Sequence, residues 1–536
     1  MSIISIGVSG LTAAQVALST SSNNTTNAYT DGYTLQVATF SESSSGSGVE
    51  ISSVERQYNQ FVTSQLNNSI SAESALSTNQ TEVDQIDSLL ADGDASIDTL
   101  MQSFFSAIQT LTSDASDTSA REEVIGSAET LASQFTQLGS YLDDMAADVN
   151  DQIDDQVTQV NDLTEQIANL NKQITLTDAV GGTSNDLLDQ RDLLVSELSE
   201  LVDVDVTTQD NGSYNVSLSN GLALVSGNDS FDLTTSVSAS DPTQTVISYV
   251  DAAGNSTTLE DSTFGGGSLG GLIDFRDTTL TDTQNQLGLL AVSLTQAFNT
   301  LQEAGIDLNG DTGTNLFSVD DPSAYGNTGN TGDATLSVTF SDDVSALSAS
   351  DYTVSYDDTD GYTVTRNDTG ASVDSSYDST TGTLTFAGMS ATISGTADDG
   401  DSFLVLPTRN AASSFSTLIT DGSLIAAGTS SGSSDNTNAL AMLDLQTDSL
   451  VGGTSTLSQT YSALVSDVGS TATKIAGQLE TQESLTEQLT TLQQSESGVN
   501  LDEEAANLIV YQQYYQACAK IVEVGTTILD TILDID

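Results

Sequence analysis

The segment DLNGDTGTNLF, which begins at Asp307, has a spacing of residues that could bind a metal ion. Asp307, Asn309 and Asp311 occupy the first, third and fifth positions of a calcium-binding loop, which supply oxygen ligands. The match then ends, because Thr312 stands where the loop needs Gly and Ser318 stands where it needs a bidentate Glu. We therefore expect a turn stabilised by Asp and Asn side chains.

The composition excludes most catalytic arrangements. The chain contains no His and a single Cys, Cys518, so it cannot build a Ser-His-Asp triad, a Cys-His dyad, a His-ligated metal site or an intrachain disulfide. Adjacent carboxylates such as Asp143 and Asp144, or Asp154 and Asp155, do not converge on one substrate when they lie on a helix. We predict no enzymatic activity and no cofactor. Cys518 is expected to be a small core residue, with intermolecular pairing as the alternative.

The balance of charge restricts the partners of the chain. It has 9 Lys and Arg against 76 Asp and Glu, which gives a formal net charge of −67. Binding to nucleic acid or to an anionic membrane surface requires clustered basic residues, so neither partner is expected. The acidity indicates a solvated surface adapted to salt or to an acidic exterior, with dedicated cation binding as the alternative.

The start of the chain, MSIISIGVSGLTAAQ, lacks the basic region and the long apolar region of a secretory signal peptide. No apolar run approaches the roughly 20 residues that cross a bilayer. We therefore expect a soluble protein, and export by a route that needs no cleaved signal peptide stays open.

Both ends of the chain carry apolar residues at the alternating spacing of one narrow helix face. The amino-terminal stripe consists of Ile4, Gly7, Leu11, Ala14 and Leu18. The carboxyl-terminal stripe consists of Leu508, Tyr511, Tyr515, Cys518, Val522, Gly525, Leu529 and Ile532. A second row beside it consists of Val510, Tyr514, Ala517, Ile521, Val524 and Ile528. Acidic residues at 502–504 precede both rows and oppose the positive end of a helix dipole, so a long terminal helix is predicted.

Two longer apolar series inside these ends also predict long helices. The first consists of Leu142, Ala146, Val149, Ile153, Gln156, Val160, Leu163, Ile167, Leu170 and Ile174. The second consists of Leu457, Tyr461, Leu464, Val468, Thr471, Ile475, Leu485, Leu489 and Leu492. Because the two series stand at matching distances from the termini, we expect them to pair in one antiparallel bundle, which would bring the two ends of the chain together.

Two segments far from both termini have the pattern of β-strands. The segment VDVDVTTQDNGSYNVSLSNGLALV places Asn211-Gly212 between two alternating runs, which is a strong hairpin signal. Short alternating runs such as YTVSYDD and YTVTRN mark a second β unit at 318–410. Between them, the glycines of FGGGSLGG could suggest a phosphate cradle, but no Lys follows them, so a turn between domains is expected.

The predicted fold class is α+β and multidomain, with a length that suggests three or four units. It combines coiled-coil-like terminal helices, a long-helix bundle domain and one or two outer β-rich domains. The expected boundaries are 1–63 (amino-terminal helix and extended segment), 64–200 (bundle, first half), 201–265 (β domain), 266–317 (return helix and turn), 318–410 (inserted β domain), 411–498 (bundle, second half) and 499–536 (carboxyl-terminal helix).

Several segments resemble the family of flagellar hook-associated protein 1, the FlgK family. They are IGVSGLTAAQVALSTSSNN, GVEISSVERQYNQFVTSQL, NDLLDQRDLLVSELSELVDVDV, GGSLGGLIDFRD and GVNLDEEAANLIVYQQYYQACAKIV. The first of these would also fit rod, hook and hook-cap proteins, whereas the segment 185–206 is the most discriminating. The unit at 318–410 shows no such resemblance.

The resemblance implies a structural, non-enzymatic subunit that joins the flagellar hook to the filament and is exported unfolded by the flagellar type III route. It implies that the terminal helices form the inner wall of a hollow axial polymer. The implied partners are further copies of the chain, the hook protein, the second junction protein (hook-associated protein 3), an export chaperone and the export apparatus.

The residues expected at the assembly interface are Ile4, Leu11, Leu18, Leu508, Tyr511, Tyr515, Val522 and Leu529. For any one of them, an ordinary place in the core of its own chain is the alternative. Two other functions stay open at this point. One is another axial protein, such as a filament subunit, and the other is an acidic calcium-binding surface adhesin, favoured only by the Asp- and Asn-rich turns of the β units.

Overall fold

The computed structural model describes residues 3–43, 48–91, 96–182, 184–430, 432 and 434–533. Long helices dominate both ends of the chain, and the strands lie between them. The helices in the described ranges are α1 (Ile3–Asn27), α2 (Gln60–Leu90), α3 (Ile97–Ser113), α4 (Thr118–Ala179), α5 (Asn185–Leu201), α6 (Gly267–Phe275), α7 (Thr281–Ala304), α8 (Thr437–Asp444), α9 (Leu457–Ser497) and α10 (Leu501–Leu533). This is the α+β multidomain class that the sequence predicts.

The strands form small antiparallel sheets. The strands before α6 are β1 (Gln36–Glu42), β2 (Val49–Arg56), β3 (Val204–Thr208), β4 (Tyr214–Leu218), β5 (Ala223–Ser226), β6 (Asp229–Ser230), β7 (Leu233–Val237), β8 (Thr245–Val250) and β9 (Ser256–Thr258). Those after α7 are β10 (Phe317–Ser318), β11 (Ser323–Gly326), β12 (Thr335–Phe340), β13 (Tyr352–Asp357), β14 (Gly361–Arg366), β15 (Ser372–Val373), β16 (Ser375–Asp378), β17 (Thr383–Phe386), β18 (Met389–Ser394), β19 (Ser402–Leu406) and β20 (Ser416–Thr417).

The two long apolar series lie on long helices, as predicted, but the partner predicted for them was wrong. The first series lies on α4 and the second on α9. Instead of packing against each other, α9 packs mainly against α2, and α4 packs against α3 and α5. An apolar stripe shows which face of a helix is buried but not what covers it. The true partner α2 was harder to find, because it buries polar residues such as Asn67, Ser69 and Ser71.

The first β unit is built from two sheets, with strand orders β3-β4-β5-β6 and β7-β8-β9. The predicted hairpin at Asn211-Gly212 is confirmed, since β3 pairs with β4 in antiparallel register from Val204 opposite Leu218 to Thr208 opposite Tyr214. Gly212 has a φ of +80°, which a residue with a side chain rarely adopts.

The second β unit consists of a five-stranded sheet with the order β11-β19-β13-β14-β15 and a four-stranded sheet with the order β12-β18-β17-β16. The chain leaves the helical body and returns to it at one place, where β10 pairs with β20. Phe317 of β10 stacks on Phe415 just before β20, with ring centres 4.9 Å apart. The unit is therefore an insertion whose two connections are fixed beside each other.

The glycine-rich segment leads from the first β unit into α6, in agreement with the predicted turn. Its glycines allow close packing: a Cβ on Gly267 would lie 2.3 Å from the carbonyl group of Leu201, and one on Gly271 would lie 2.4 Å from the carbonyl oxygen of Ala75. A π-helical turn (Arg276–Leu280) then joins α6 to α7. The glycines therefore let α6 approach the backbones of α2 and α5.

Several of the few basic residues lie inside the protein, where they join distant segments. Arg121, Arg191 and Arg276 are at most 3% exposed. Arg121 donates hydrogen bonds to the carbonyl oxygens of Gly422 and Ile425, at 3.1 and 2.7 Å. Because these cations are buried, they do little to offset the acidity of the outer surface.

The segment from Asp307 forms the predicted Asx turn. A carboxylate oxygen of Asp307 accepts hydrogen bonds from the backbone N–H groups of Asn309 and Asp311, at 2.8 and 2.9 Å. Among the described residues, no group of three or more His, Cys, Asp or Glu is arranged to hold a metal ion.

One helix departs from the expectation about apolar runs. By length and average hydropathy alone, α1 qualifies as a membrane-crossing segment, a test that core helices of soluble proteins also pass. The face that α1 buries consists of small and polar residues such as Gly7, Gly10, Ala14 and Ser21. These residues are covered by other elements of the chain.

Candidate assembly interface

The two ends of the chain pack together, as predicted, and they do so as an antiparallel helix pair. Three close approaches fix the register of α1 on α10: Gly7 lies against Val522, Gly10 against Cys518, and Gly525 against Ile4. As the residue number rises along α1, it falls along α10. We call this arrangement the terminal helix pair.

Small residues form the seam of the terminal helix pair. Gly7, Gly10, Ala14, Ala17 and Ser21 are buried and follow the three-and-four spacing of one helix face. A Cβ on Gly10 would lie 2.5 Å from the sulfur of Cys518, and one on Gly525 would lie 2.8 Å from the side chain of Ile4. The two backbones approach closely because these positions carry no large side chain.

The lone cysteine belongs to this seam. Cys518 is 5% exposed and fills the space opposite Gly10. Its predicted role as a small core residue is confirmed.

Polar contacts close the pair at the start of α10. The Ser21 hydroxyl donates a hydrogen bond to the buried carboxylate of Glu504. The side chain of Asn500 accepts a hydrogen bond of 3.0 Å from the backbone N–H of Asp502 and so caps α10. The acidic first turn that the sequence predicts for this helix is present.

The structure places the predicted interface residues in two environments. Ile4, Leu11 and Leu18 of α1, with Leu508, Tyr511 and Val522 of α10, are half-buried. Tyr515 and Leu529 are 41% and 49% exposed. Part of the predicted set therefore packs within the chain, and its role in contacts between copies stays a prediction.

The second apolar row of α10 is the more exposed one. We call Val510, Tyr514, Ile521, Val524 and Ile528 the outer row; these residues are between 38% and 58% exposed. On α1, Ile3 and Val8 are about half exposed, at 51% and 48%. Sequence reasoning missed one signal: Cys518 and Gly525 in the first row are small enough to indicate close packing inside the chain.

The hairpin of β1 and β2 packs against α1 and also reaches α10. Gln36 of β1 exchanges two hydrogen bonds with the Asn24 amide of α1, at 2.8 and 3.1 Å. The ring of Phe40 lies 6.4 Å from the ring of Tyr511, centre to centre. The hairpin therefore holds the terminal helix pair from one side.

An acidic face of α5 anchors this terminal region to the body of the protein. Asp189 accepts hydrogen bonds from the Thr34 hydroxyl and backbone N–H, at 2.6 and 3.1 Å. Arg56, at the end of β2, forms ion pairs of 2.9 Å with Asp189 and 2.6 Å with Asp192. We call this cluster the neck; sequence reasoning singled out the α5 segment but not these contacts.

Burial gives the neck unusual acid–base properties. Burial raises the pKa of Tyr33 to about 12, and the charges of Asp186, Asp189 and Glu504 add to the shift. Burial also raises the pKa of Asp189, although hydrogen bonds from Thr34 and Arg56 oppose this change. Burial alone would lower the pKa of Arg56, but Asp192 and Asp189 raise it overall. The guanidinium group therefore stays charged inside the neck.

Comparison with protein families gives three matches along the chain. Residues 83–317 match the flagellar hook-associated protein FlgK helical domain, and residues 325–407 match the D2-like domain of flagellar hook-associated protein 1. Residues 493–535 match the carboxyl-terminal region of the flagellar basal body rod proteins FlgEFG. The second match covers most of the β unit in which the sequence motifs show no resemblance.

Relatives of known identity align with the whole chain. Flagellar hook-associated protein 1 of Salmonella typhimurium is 40% identical and that of Escherichia coli K12 is 39% identical, and each alignment covers 100% of both chains. The structure of the flagellar hook junction protein FlgK from Burkholderia pseudomallei superposes with a TM-score of 0.75 at 33% identity. That superposition covers 81% of this chain and 100% of the other. The chain therefore belongs to the family of flagellar hook-associated protein 1.

Proposed function

We propose that this chain is a structural, non-enzymatic subunit of the junction between the flagellar hook and the filament. The proposal is supported by full-length similarity to hook-associated proteins of two organisms and by likeness to a solved hook junction protein. The architecture also supports it. The helices α1 and α10, which have exposed apolar residues, lie at the ends of the chain, and the units with buried cores lie between them.

The observation that carries the proposal is the apolar surface left open on the terminal helix pair. Exposed residues of both helices would place several large side chains in water if the chain remained alone. A helix with one narrow apolar face gains stability when a partner covers that face. We propose that neighbouring copies cover the outer row together with Tyr515 and Leu529, while the half-buried interface residues support the pair from within.

Contacts of this kind suit a polymer that continues in one direction. Head-to-tail contacts between unlike surfaces generate a helical assembly, whereas a self-complementary surface closes a dimer. A junction subunit therefore needs one surface for the hook protein and another for hook-associated protein 3. With a formal charge of −67 on each copy, salt should favour assembly by screening the repulsion between neighbours.

Delivery to the outside of the cell forms the second part of the proposal. Export would use the flagellar type III route, with the chain unfolded, as the similarity to flagellar hook-associated proteins implies. An export chaperone would cover the apolar surface of α10 before export. This role rests on the family resemblance and on the exposure of the outer row.

The location of the protein tests the proposal. Intact flagella would be labelled with an antibody against residues 325–407, viewed by immunogold electron microscopy, and compared with flagella from cells that lack the protein. A single cluster of label where the hook meets the filament is the expected result. Label along the entire filament would instead indicate a filament subunit, and label on the cell body alone would indicate a surface adhesin.

A further inference from the structure

Three tyrosines of the second β unit have their rings in contact. Tyr356 of β13 lies opposite Tyr362 of β14 in the antiparallel register, and their ring centres are 4.9 Å apart. The ring of Tyr362 also lies 4.9 Å from that of Tyr377 on β16, centre to centre. In every other close ring pair of the described residues, at least one ring belongs to phenylalanine. The second β unit is therefore the part of the described chain where tyrosine rings pack on one another.

The contact between Tyr362 and Tyr377 connects the two sheets of the unit. β14 belongs to the five-stranded sheet and β16 to the four-stranded sheet. Tyr362 is half-buried against the core, whereas Tyr377 is 43% exposed. The two rings are tilted by 58°, an arrangement that packed aromatic side chains commonly adopt. A reagent in water can therefore reach Tyr377 while its ring touches that of Tyr362.

The other side chains that oxidants attack are absent or buried. Cysteine and methionine are the usual targets of oxidation. The chain has no Trp and no His, and its single cysteine, Cys518, is buried in the terminal helix pair. The methionines of the described ranges are at most 5% exposed; they are Met101, Met145, Met389 and Met442. Among the described residues, tyrosine is therefore the main side chain that an oxidant in water can reach.

We propose that Tyr362 and Tyr377 form an oxidative modification site, at which a carbon–carbon bond joins the two rings. The oxidant is hydrogen peroxide activated by a haem peroxidase, which removes electrons one at a time. Because the ring centres are 4.9 Å apart, the edges of the rings lie near van der Waals contact. A small rotation of the exposed Tyr377 ring is enough to bring the two reacting carbons together.

The reaction balances without any group from the protein besides the two phenols. Each tyrosine loses one electron and the proton of its hydroxyl group, which leaves a radical shared between the oxygen and the ring carbons beside it. The two radicals join through one such carbon of each ring, and the hydrogen atoms on these carbons then move to the oxygens, so both phenols are restored. Hydrogen peroxide accepts the two electrons and the two protons and becomes two molecules of water.

The bond ties one sheet of the second β unit to the other. It joins β14 to β16 through their side chains, and a covalent link of this kind stabilises a fold mainly because it restricts the unfolded chain. The inference is independent of the proposed junction function, since the bond forms within one chain and needs no neighbouring copy.

Peptide mapping of the oxidised monomer tests the inference. The dilute full-length chain would be treated with hydrogen peroxide and a haem peroxidase, and the monomer would be isolated, unfolded and digested with trypsin. Cleavage after Arg276, Arg366 and Arg409 places Tyr362 in the peptide 277–366 and Tyr377 in the peptide 367–409, where it is the only tyrosine. We expect mass spectrometry to find these two peptides joined, with a combined mass lower by that of two hydrogen atoms.

Three variants identify the reacting rings. Tyr362→Phe and Tyr377→Phe should each lower the yield of the joined peptides roughly tenfold, because phenylalanine keeps the ring but lacks the hydroxyl group. The matched control is Tyr29→Phe, which alters a tyrosine that is 89% exposed and lies outside the second β unit, and its yield should be unchanged. Urea denaturation before oxidation should show that all three variants remain folded.

Three results would overturn the inference. The first is a monomer in which other tyrosines are oxidised but the two peptides are not joined. The second is an undiminished yield in Tyr362→Phe, which would mean that Tyr377 couples to a different ring. The third is a joined pair found only in covalent dimers, which would mean that the bond forms between chains and not between the two sheets.

Discussion

The helices α4 and α10 carry the same kind of apolar repeat, but their environments differ. On α4, the series that includes Leu142, Val149 and Ile153 is at most 1% exposed at these positions. On α10, Val524 and Ile528 are each 46% exposed. The repeat of α4 is covered by its own chain at these positions, whereas the outer-row residues of α10 are each between 38% and 58% exposed.

Under the proposed function, this difference separates a body whose apolar residues are covered within the chain from terminal helices whose exposed residues neighbouring copies would cover. A fully buried aliphatic side chain contributes roughly 1.5–3 kcal/mol to folding. The exposed apolar residues of α10 realise only part of that contribution in the isolated chain, and the proposed assembly would supply the remainder. Substitutions in the two regions should therefore affect different measurements.

The largest effect is expected in the body, at Gly288. A Cβ at this position of α7 would lie 1.7 Å from the carbonyl oxygen of Thr408, so Gly288→Ala forces backbone segments apart. We expect a loss of about 3 kcal/mol or more in the free energy of unfolding, measured by urea denaturation. The matched control is Gly126→Ala on α4, where no atom lies within 4 Å of the added Cβ. That variant should be stabilised by up to about 1 kcal/mol. Equal stabilities of the two variants would contradict this account of the body.

The next effect is expected in the neck, which joins the two regions. Arg56→Ala leaves the buried carboxylates of Asp189 and Asp192 without their cation. Removing one partner of a buried ion pair costs about 3 kcal/mol. Limited proteolysis should cleave the β1–β2 hairpin faster, while the body unfolds at an unchanged urea concentration. Arg56→Lys keeps the charge but lacks the planar fork, so its cleavage rate should be intermediate. Unchanged cleavage in Arg56→Ala would mean that the neck does not anchor the ends.

A smaller effect on folding, with a large effect on assembly, is expected for the outer row. The double variant Val524→Asn and Ile528→Asn should lower the unfolding free energy of the monomer by about 1–2 kcal/mol, less than the Gly288 variant, because each side chain is only about half buried in the monomer. Its incorporation into polymers, measured by sedimentation, should fall roughly tenfold. The control Leu176→Asn alters a residue of α4 that is 60% exposed and should assemble normally. Equal assembly of both variants would remove the outer row from the interface.

The smallest expected effect is a change in the thermal stability of the body with pH. Burial raises the pKa values of Asp143, Asp274 and Asp351. The folded chain therefore binds protons more readily than the unfolded chain, and stability is lost as pH rises through the raised values. Calorimetry should show a thermal midpoint roughly 2 °C higher near pH 5 than at pH 7.5. A midpoint that rises steadily from pH 5 to pH 7.5 would show that other groups dominate.

The sequence predicted the helices and the β units better than it predicted their partners. Spacing identified α4, α9 and α10, because a repeated apolar face is a local property. It did not identify α2 as the partner of α9, since residues such as Asn67 and Ser69 make the buried face of α2 look polar. Packing partners depend on contacts far apart in the sequence.

Only part of the candidate site was predicted from the sequence, for a similar reason. The stripe that contains Cys518 and Gly525 was correctly placed on one helix face, but it packs against α1 instead of leaving its whole surface for other copies. The contacts of Arg56 with Asp189 and Asp192 join residues about 130 positions apart, and no local pattern announces them. Composition showed that cations are few, but only the structure showed how they are used.

Hydrogen exchange measured on the monomer and on the assembled polymer tests the central claim most directly. The account predicts that amides of α4 are protected in both states. It also predicts that amides of α1 and α10 exchange quickly in the monomer and become protected on assembly, because other copies then cover the outer row. If residues 3–20 and 505–533 are as well protected in the monomer as α4 and gain nothing in the polymer, the terminal helix pair is complete by itself and the account is contradicted.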